Sequence, residues 1–211
     1  MKQSSNKGNV ARLAIAQALS MTTMNVNIIN TALVGFLLAP VAWLATLALS
    51  LQFVAMMLTT LPVSLVMVKF GRRPVFISGV LIASMAACLQ GMAIIIDSFP
   101  LFCAGSMALG IAFGCASFYR YAATDCATDD DKPKAISYVL AGGLMAALFG
   151  PEIARNTVDW VPGYLYAGCY FSVSVVQIIA LLALAGVKIP KPVESCSGGR
   201  PLGVFVKNPV Y

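Results

Sequence analysis

Six apolar blocks, each close to the roughly 20 residues a helix needs to cross a hydrocarbon layer, follow one another along the 211-residue chain with only short polar links between them. Hydrocarbon offers a backbone amide no water to bond, so a chain of such blocks has two solutions: helices, which satisfy their amides internally, or a closed barrel. A barrel requires strands of about ten residues that alternate apolar and polar. These blocks are apolar without a break, which leaves helices. Cutting the sequence at charges, prolines and turn residues predicts spans at about 11–37, 43–69, 74–96, 100–123, 135–156 and 163–187. The links are Ala39 with Pro40, the cationic cluster KFGRR, the four residues 97–100, TDCATDDDKPK and NTVDWVPG. Links this short make neighbouring spans antiparallel. The expectation is an all-α membrane protein, a six-transmembrane-helix bundle over 11–187.

Orientation follows from the cations. Of the 14 Lys and Arg residues, all but Arg155 fall on the side that holds both chain ends. The positive-inside rule then makes both termini cytoplasmic. Residues 1–10 become a cytoplasmic N-terminal segment. Residues 188–211 become a cytoplasmic linker rich in Pro, Gly and Ser, which starts an amphipathic stretch and stops mid-pattern at Tyr211, as a truncated chain would. The polar start MKQSSNKGNVAR leads into a long apolar block without an A-x-A-like cleavage site, so the first block is read as a retained span. The acidic run at 129–131 reads as a solvated loop and helix start, with Pro133 suited to a first turn.

Composition excludes several classes. With 59% hydrophobic and 10% charged residues, the chain carries more apolar surface than a soluble core can bury. It has no histidine, which removes a His general base, the H-E-x-x-H metal motif and Ser-His nucleophilic chemistry. No G-x-S-x-G or Walker-type loop is present. No enzyme activity, ATP-driven step or cofactor is expected. The six cysteines (Cys88, Cys103, Cys115, Cys126, Cys169, Cys196) show no C-x-x-C spacing and imply neither disulfides nor a metal site. A net charge of +6 would suit nucleic acid in a soluble protein; here the cations sit between spans, so the expected partner is the lipid bilayer.

The first span is polar at its centre, ALSMTTMNVNIINTALV, with Ser20, Thr23, Asn27 and Asn30 on one helical face. Amides facing lipid are costly, so this stripe must face other helices or water. Two readings follow: contacts to a solute by Thr23, Asn27 and Asn30, with Gln52 and Tyr119 as further candidates, or interhelical bonding that holds the bundle together. Met21, Met24, Met56, Met57 and Cys115 are soft donors that could suit copper(I), but methionine also fills gaps in any apolar core, and no metal site is assigned. Gly110 and Gly114 form a G-x-x-x-G pair for close helix contact, Pro62 is expected to kink the second span, and Glu152 and Arg155 are placed to pair with each other.

Two stretches carry a family resemblance. SLVMVKFGRRP matches the second half of the loop signature G-x-x-x-D-[RK]-x-G-[RK]-[RK] of the major facilitator superfamily, with Lys69, Gly71, Arg72 and Arg73 in register. Ser64 replaces its first glycine and Val68 its aspartate, so the latch that the family's aspartate helps to form is not available from Val68. AALFGPEIA resembles the family's fifth-helix motif through Ala146, Gly150, Pro151 and Ala154: small residues for close approach, and a proline that lets the helix bend where two halves meet. The alternative is that Gly-Pro ends the fifth span. FYRYAATDCATDDDKPKAISYVLAGG looks like a bacterial subgroup in which an aromatic-Arg-aromatic turn precedes Ala-Ala-Asp. There Arg120 and Asp125 are candidates for a gating ion pair, with Asp125 expected to meet Arg72 or Arg73, and Arg120 alternatively reaching the lipid headgroups.

The resemblance covers nearly the whole chain and implies the N-terminal six-helix half of a twelve-span secondary transporter, working by alternating access on a small solute in the bacterial inner membrane. In the family the first and fourth spans line the cavity of this half. The implied partner is a C-terminal half or a second copy of the chain. A six-span homodimeric transporter and a non-transporting membrane partner or remnant are the other readings, with copper import as a variant.

Overall fold

The computed structural model describes residues 2–126 and 131–187, and for 2–7 and 132 the backbone alone. The expectations for the 188–211 linker, for Cys196 and for most of the acidic run lie outside the described residues. Within them the chain forms seven α-helices: α1 (Lys2–Leu38), α2 (Leu47–Phe70), α3 (Arg72–Ile95), α4 (Phe99–Ala116), α5 (Tyr119–Cys126), α6 (Lys132–Thr157) and α7 (Ala167–Ala185). A short 3-10 turn, Ala42–Leu44, precedes α2.

Among the described residues six segments are long and apolar enough to span a membrane: Gly8–Leu38, Ala42–Phe70, Arg72–Ile95, Phe99–Cys126, Pro133–Thr157 and Ala167–Ala185. Each coincides with a predicted span. The sixth starts at Ala167 rather than 163 because Gly163 (φ 84°) and Tyr166 (φ 70°) hold left-handed backbone that a helix cannot include. The fourth is broken, which its apolar pattern hides. Ser117 Oγ donates to Gly114 O at 2.8 Å, and Phe118 N–H bonds Cys115 O at 3.3 Å, a tighter i to i−3 turn that separates α4 from α5. Both internal prolines are carried: α2 continues past Pro62 and α6 past Gly150 and Pro151, so Gly-Pro does not end the fifth span.

The helices form an open arc. In spatial order α2 packs on α4, α4 on α3, α3 on α7, α7 on α1 and α1 on α6, with α5 tucked against α1 and α6 at one end. The two ends of this arc, α2 and α6, have one packed flank each. Their apolar windows are 17% buried, against 50%, 61% and 56% for the spans built from α3, from α4 with α5, and from α7. Phe53, Val54, Met57, Leu58, Leu61 and Leu65 on α2, and Leu144, Leu148 and Phe149 on α6, are exposed. Such surface is stable only in lipid or against another bundle.

Close approach of the backbones depends on small residues. Gly142, Ala146, Gly150 and Ala154 recur every fourth residue along α6 and face α1. A Cβ on Gly142 would stand 2.7 Å from Ala14 O, and one on Gly150 2.7 Å from Asn25 Cβ. The fifth-helix motif is therefore split: Ala146 and Gly150 seat α6 on α1, Ala154 is buried in a cluster with Val26 of α1 and Cys169 and Val173 of α7, and Pro151 alone lies on the exposed face. Gly110 does the same for α4 on α2, where an added Cβ would strike the Gln52 carbonyl and stand 3.0 Å from Ala55 Cβ. Gly114 completes that seam, where an added Cβ would stand 3.3 Å from Thr59 Cβ.

Candidate functional site

The polar stripe of α1 lies wholly inside the arc. Ser20, Thr23, Asn27, Asn30 and Thr31 are at most 3% exposed, and Gln52 and Tyr119 are 1% exposed. Buried amides in an apolar surround must bond each other, and these stitch the arc together. Asn27 Nδ2 donates to Gln52 Oε1, joining α1 to α2. Gln177 Nε2 donates to Thr23 Oγ1 at 2.8 Å, and the Thr31 and Tyr170 hydroxyls bond at 3.2 Å, joining α1 to α7. Gln90 Nε2 donates to Ser106 Oγ at 2.9 Å between α3 and α4, the Ser84 and Ser174 hydroxyls bond at 2.8 Å between α3 and α7, and Asn25 Nδ2 donates to Ala146 O at 3.1 Å between α1 and α6.

The five predicted solute contacts are thus dispersed into this network. Asn27 and Gln52 come together; Thr23 meets Gln177. Tyr119 sits with its hydroxyl at Ser20 and its ring edge-on to Phe76, centroids 4.7 Å apart. Asn30 lies beside the Cys169 thiol on α7. None of the five reaches the surface of the bundle. Gln90 and Gln177 belong to the same network and escaped the sequence reading. Each is the sole amide of its span and belongs to no polar stripe like the one that singled out Asn27, but the same cost of turning an amide toward lipid applies to both and would have found them. Several amide atoms remain unpartnered in the buried interior: Asn27 Oδ1, Asn30 Nδ2, Gln52 Nε2, Gln90 Oε1 and Gln177 Oε1.

The soft donors do not converge. Met24 and Met56 pack on the cluster around Ala83, Leu109 and Phe113, Met21 lies against the Gly143 position of α6, Met57 is exposed, and Cys115 belongs to a different core cluster with Phe76 and Tyr119.

A second polar centre gathers at one end of the bundle. Gly71 is the single residue between α2 and α3, at φ 89° and ψ 165°. That conformation belongs almost solely to glycine, and a Cβ there would meet nothing within 4 Å, so the backbone and not space requires Gly71. The turn places Arg72 and Arg73 in the first turn of α3, where the helix dipole opposes a cation. Each is compensated. Arg72 Nη2 lies 2.7 Å from Asp125 Oδ2, with the side chains 18% and 31% exposed. Asp125 is in the last turn of α5, again the unfavourable pole for its charge, so the pair joins two ions that their own helices repel. Arg73 Nη2 donates to Ala185 O at 2.7 Å and Arg12 Nη1 to Gly186 O, so two cations cap the carbonyls at the end of α7. Lys69 is exposed, 5.4 Å from the ring of Phe70.

Asp125 meets Arg72, one of its two expected partners, while the expected role of Arg120 in the pair changes. Arg120 stands apart from the Arg72–Asp125 pair: it is exposed, with its guanidinium 5.3 Å from the ring centroid of Tyr121, because α5 directs it outward while Asp125, five residues on, turns toward α3. Val68, at the signature's aspartate position, is exposed on α2. At the far end Glu152 and Arg155 approach to 3.6 Å on the exposed side of α6, and Asn156 Nδ2 donates to Glu152 Oε1 at 2.8 Å.

Comparison with known proteins adds three findings. The family model of the Major Facilitator Superfamily matches residues 13–210. The chain is 37% identical over 207 residues to the riboflavin transporter RfnT of Brucella anthropi, an alignment that covers 96% of this chain and 52% of that protein. The chain therefore spans about half the length of the curated relative it matches. Among solved structures, the fucose:proton symporter of E. coli superposes with a TM-score of 0.67 at 15% identity, over 86% of this chain and 49% of that one, a likeness of fold.

Proposed function

We propose that this chain, which belongs to the Major Facilitator Superfamily, provides one six-helix half of a secondary transporter that moves a flavin-like solute by alternating access. Membership makes it an integral, multi-pass membrane protein of a transporter family rather than an enzyme. The observation that carries the finer reading is the open arc. Its end helices α2 and α6 each leave a largely apolar face uncovered, as half of a two-bundle carrier would, with the solute path on the concave side between them. The match to about half of a riboflavin transporter supports both the half-carrier and the solute class.

In this reading both termini and the Gly71 turn are cytoplasmic, and the partner is a second six-helix bundle, either a C-terminal half or another copy, entering in the same sense because six is even. The Arg72–Asp125 pair and the two arginine caps hold the cytoplasmic ends of α1, α3, α5 and α7 together so that the bundle rocks as one body. Ion coupling is assigned to the completing bundle, since the described spans carry acids only near their ends (Asp125 and Glu152). The test is uptake of labelled riboflavin by riboflavin-requiring cells that carry the gene in its own chromosomal context, compared with a deletion strain. Uptake lost on deletion and restored by the gene is the expected result; equal uptake by both strains would refute the solute class.

A further inference from the structure

We infer that the open half of the Asn27 and Gln52 amide pair recognises a cis-amide edge, the adjoining N–H and C=O of an imide or lactam ring, on the transported solute. This deepens the flavin reading and rests on it. A single hydrogen bond, Asn27 Nδ2 to Gln52 Oε1, joins the two side chains. Asn27 Oδ1 and Gln52 Nε2 are left without partners, on residues 0% and 1% exposed. Two primary amides can bond in both directions at once; here one bond is made and the other is not. Exchanging O and N on both amides leaves the same complement, one acceptor and one donor.

Unpartnered amide atoms are costly when buried, and more so where no water can replace the missing bond. An imide edge satisfies both together: its N–H donates to Asn27 Oδ1 and its C=O accepts from Gln52 Nε2. The pyrimidine end of a flavin ring carries such an edge, whereas its benzenoid end does not. The other amides with an open atom among the described residues are Asn30, through Nδ2, and Gln90 and Gln177, through Oε1; none of them is bonded to another of these amides, so an open donor and an open acceptor on two amides already joined by a hydrogen bond are particular to the α1 and α2 pair.

The pair is also built on fixed supports. Gly110 holds the Gln52 backbone against α4, and Asn27 lies between the two bonds, Thr23 with Gln177 and Thr31 with Tyr170, that fix α1 to α7. Yet α1 and α2 are not neighbours along the arc, and they touch far less than either touches its packed neighbour. A ring enters when α2, an end helix with most of its surface uncovered, parts locally from α1, a movement within the bundle in addition to the rocking of the two halves.

The experiment compares uptake of riboflavin with that of 3-methylriboflavin, which lacks the imide N–H, in cells carrying the gene in its own chromosomal context. Riboflavin should be favoured at least about tenfold, the loss expected for one hydrogen bond to a buried amide. Asn27→Ser and Gln52→Leu, each assayed separately, should lower riboflavin uptake and bring the ratio toward one. A purely structural role for the pair would lower uptake of both flavins and leave the ratio unchanged. Should a variant fail to reach the membrane, the comparison of the two flavins on the unaltered protein still decides. Equal uptake of the two flavins overturns the imide assignment while the transport reading stands; no gene-dependent riboflavin uptake overturns the transport reading itself.

Discussion

Exchanging the ions of the Arg72–Asp125 pair should leave the bundle at least as stable as it is now, although either single neutralisation harms it. At 2.7 Å, in an effective dielectric of about 20, the gross Coulomb attraction is about 6 kcal/mol. Desolvation of two side chains only 18% and 31% exposed offsets most of this, leaving a net contribution of about 1–3 kcal/mol. Asp125→Asn should cost the upper part of that range, because Arg72 then stays in the first turn of α3 against the dipole, with Nη1 already buried and unpartnered. Arg72→Gln should cost less, as Asp125 is the more exposed partner. The double neutral variant should fall short of the sum by about 1 kcal/mol or more. In the swapped protein, Arg72→Asp with Asp125→Arg, each charge sits at the favourable pole of its helix, a gain of about 0.3–1 kcal/mol apiece that offsets imperfect geometry. Thermal unfolding in detergent, at constant lipid and protein concentration, measures all four. Additive single effects, or a swapped protein less stable than the unaltered one, would refute the reasoning.

Gly71→Ala should destabilise by about 1–3 kcal/mol through backbone strain alone, read as a lowered unfolding midpoint, with no compensating change from trimming neighbours, since none lies within 4 Å. Gly150→Leu should unseat α6 from α1, since even an added Cβ stands 2.7 Å from Asn25 Cβ, and should lower the unfolding midpoint by more than Gly143→Leu on the same helix, where the nearest atom to an added Cβ, Met21 Cγ, is 3.7 Å away. Gln177→Leu should cost about 0.6–1.7 kcal/mol, the range for a hydrogen bond between membrane helices, seen as a lowered midpoint that Thr23→Val in the same protein does not lower further.

The spans were legible because their signal is local: a run of apolar residues long enough to cross hydrocarbon needs no partner to be recognised. Their arrangement was not, since α2 and α3 have equally apolar sequences and differ only in what packs on them. The stripe Gly142, Ala146, Gly150 and Ala154 declared a close seam by its spacing, but nothing in it names α1 as the partner. The polarity of α1 pointed inward, where the structure puts it, yet spacing could not say whether Asn27 meets a solute or Gln52. The caps supplied by Arg12 and Arg73 end on backbone carbonyls of Gly186 and Ala185, acceptors every residue carries and no sequence pattern marks. Ser117 breaks the fourth span through a bond to Gly114 O, a competition that a hydropathy window averages away.

Single cysteines at two exposed positions, Lys69→Cys beside the Gly71 turn and Asp159→Cys beyond α6, bear most directly on the six-span arrangement. In sealed vesicles of known orientation, a membrane-impermeant maleimide should label Lys69→Cys only when the cytoplasmic face is outward and Asp159→Cys only when it is inward. Labelling of both from one side would contradict the membrane topology, and with it the carrier built upon it.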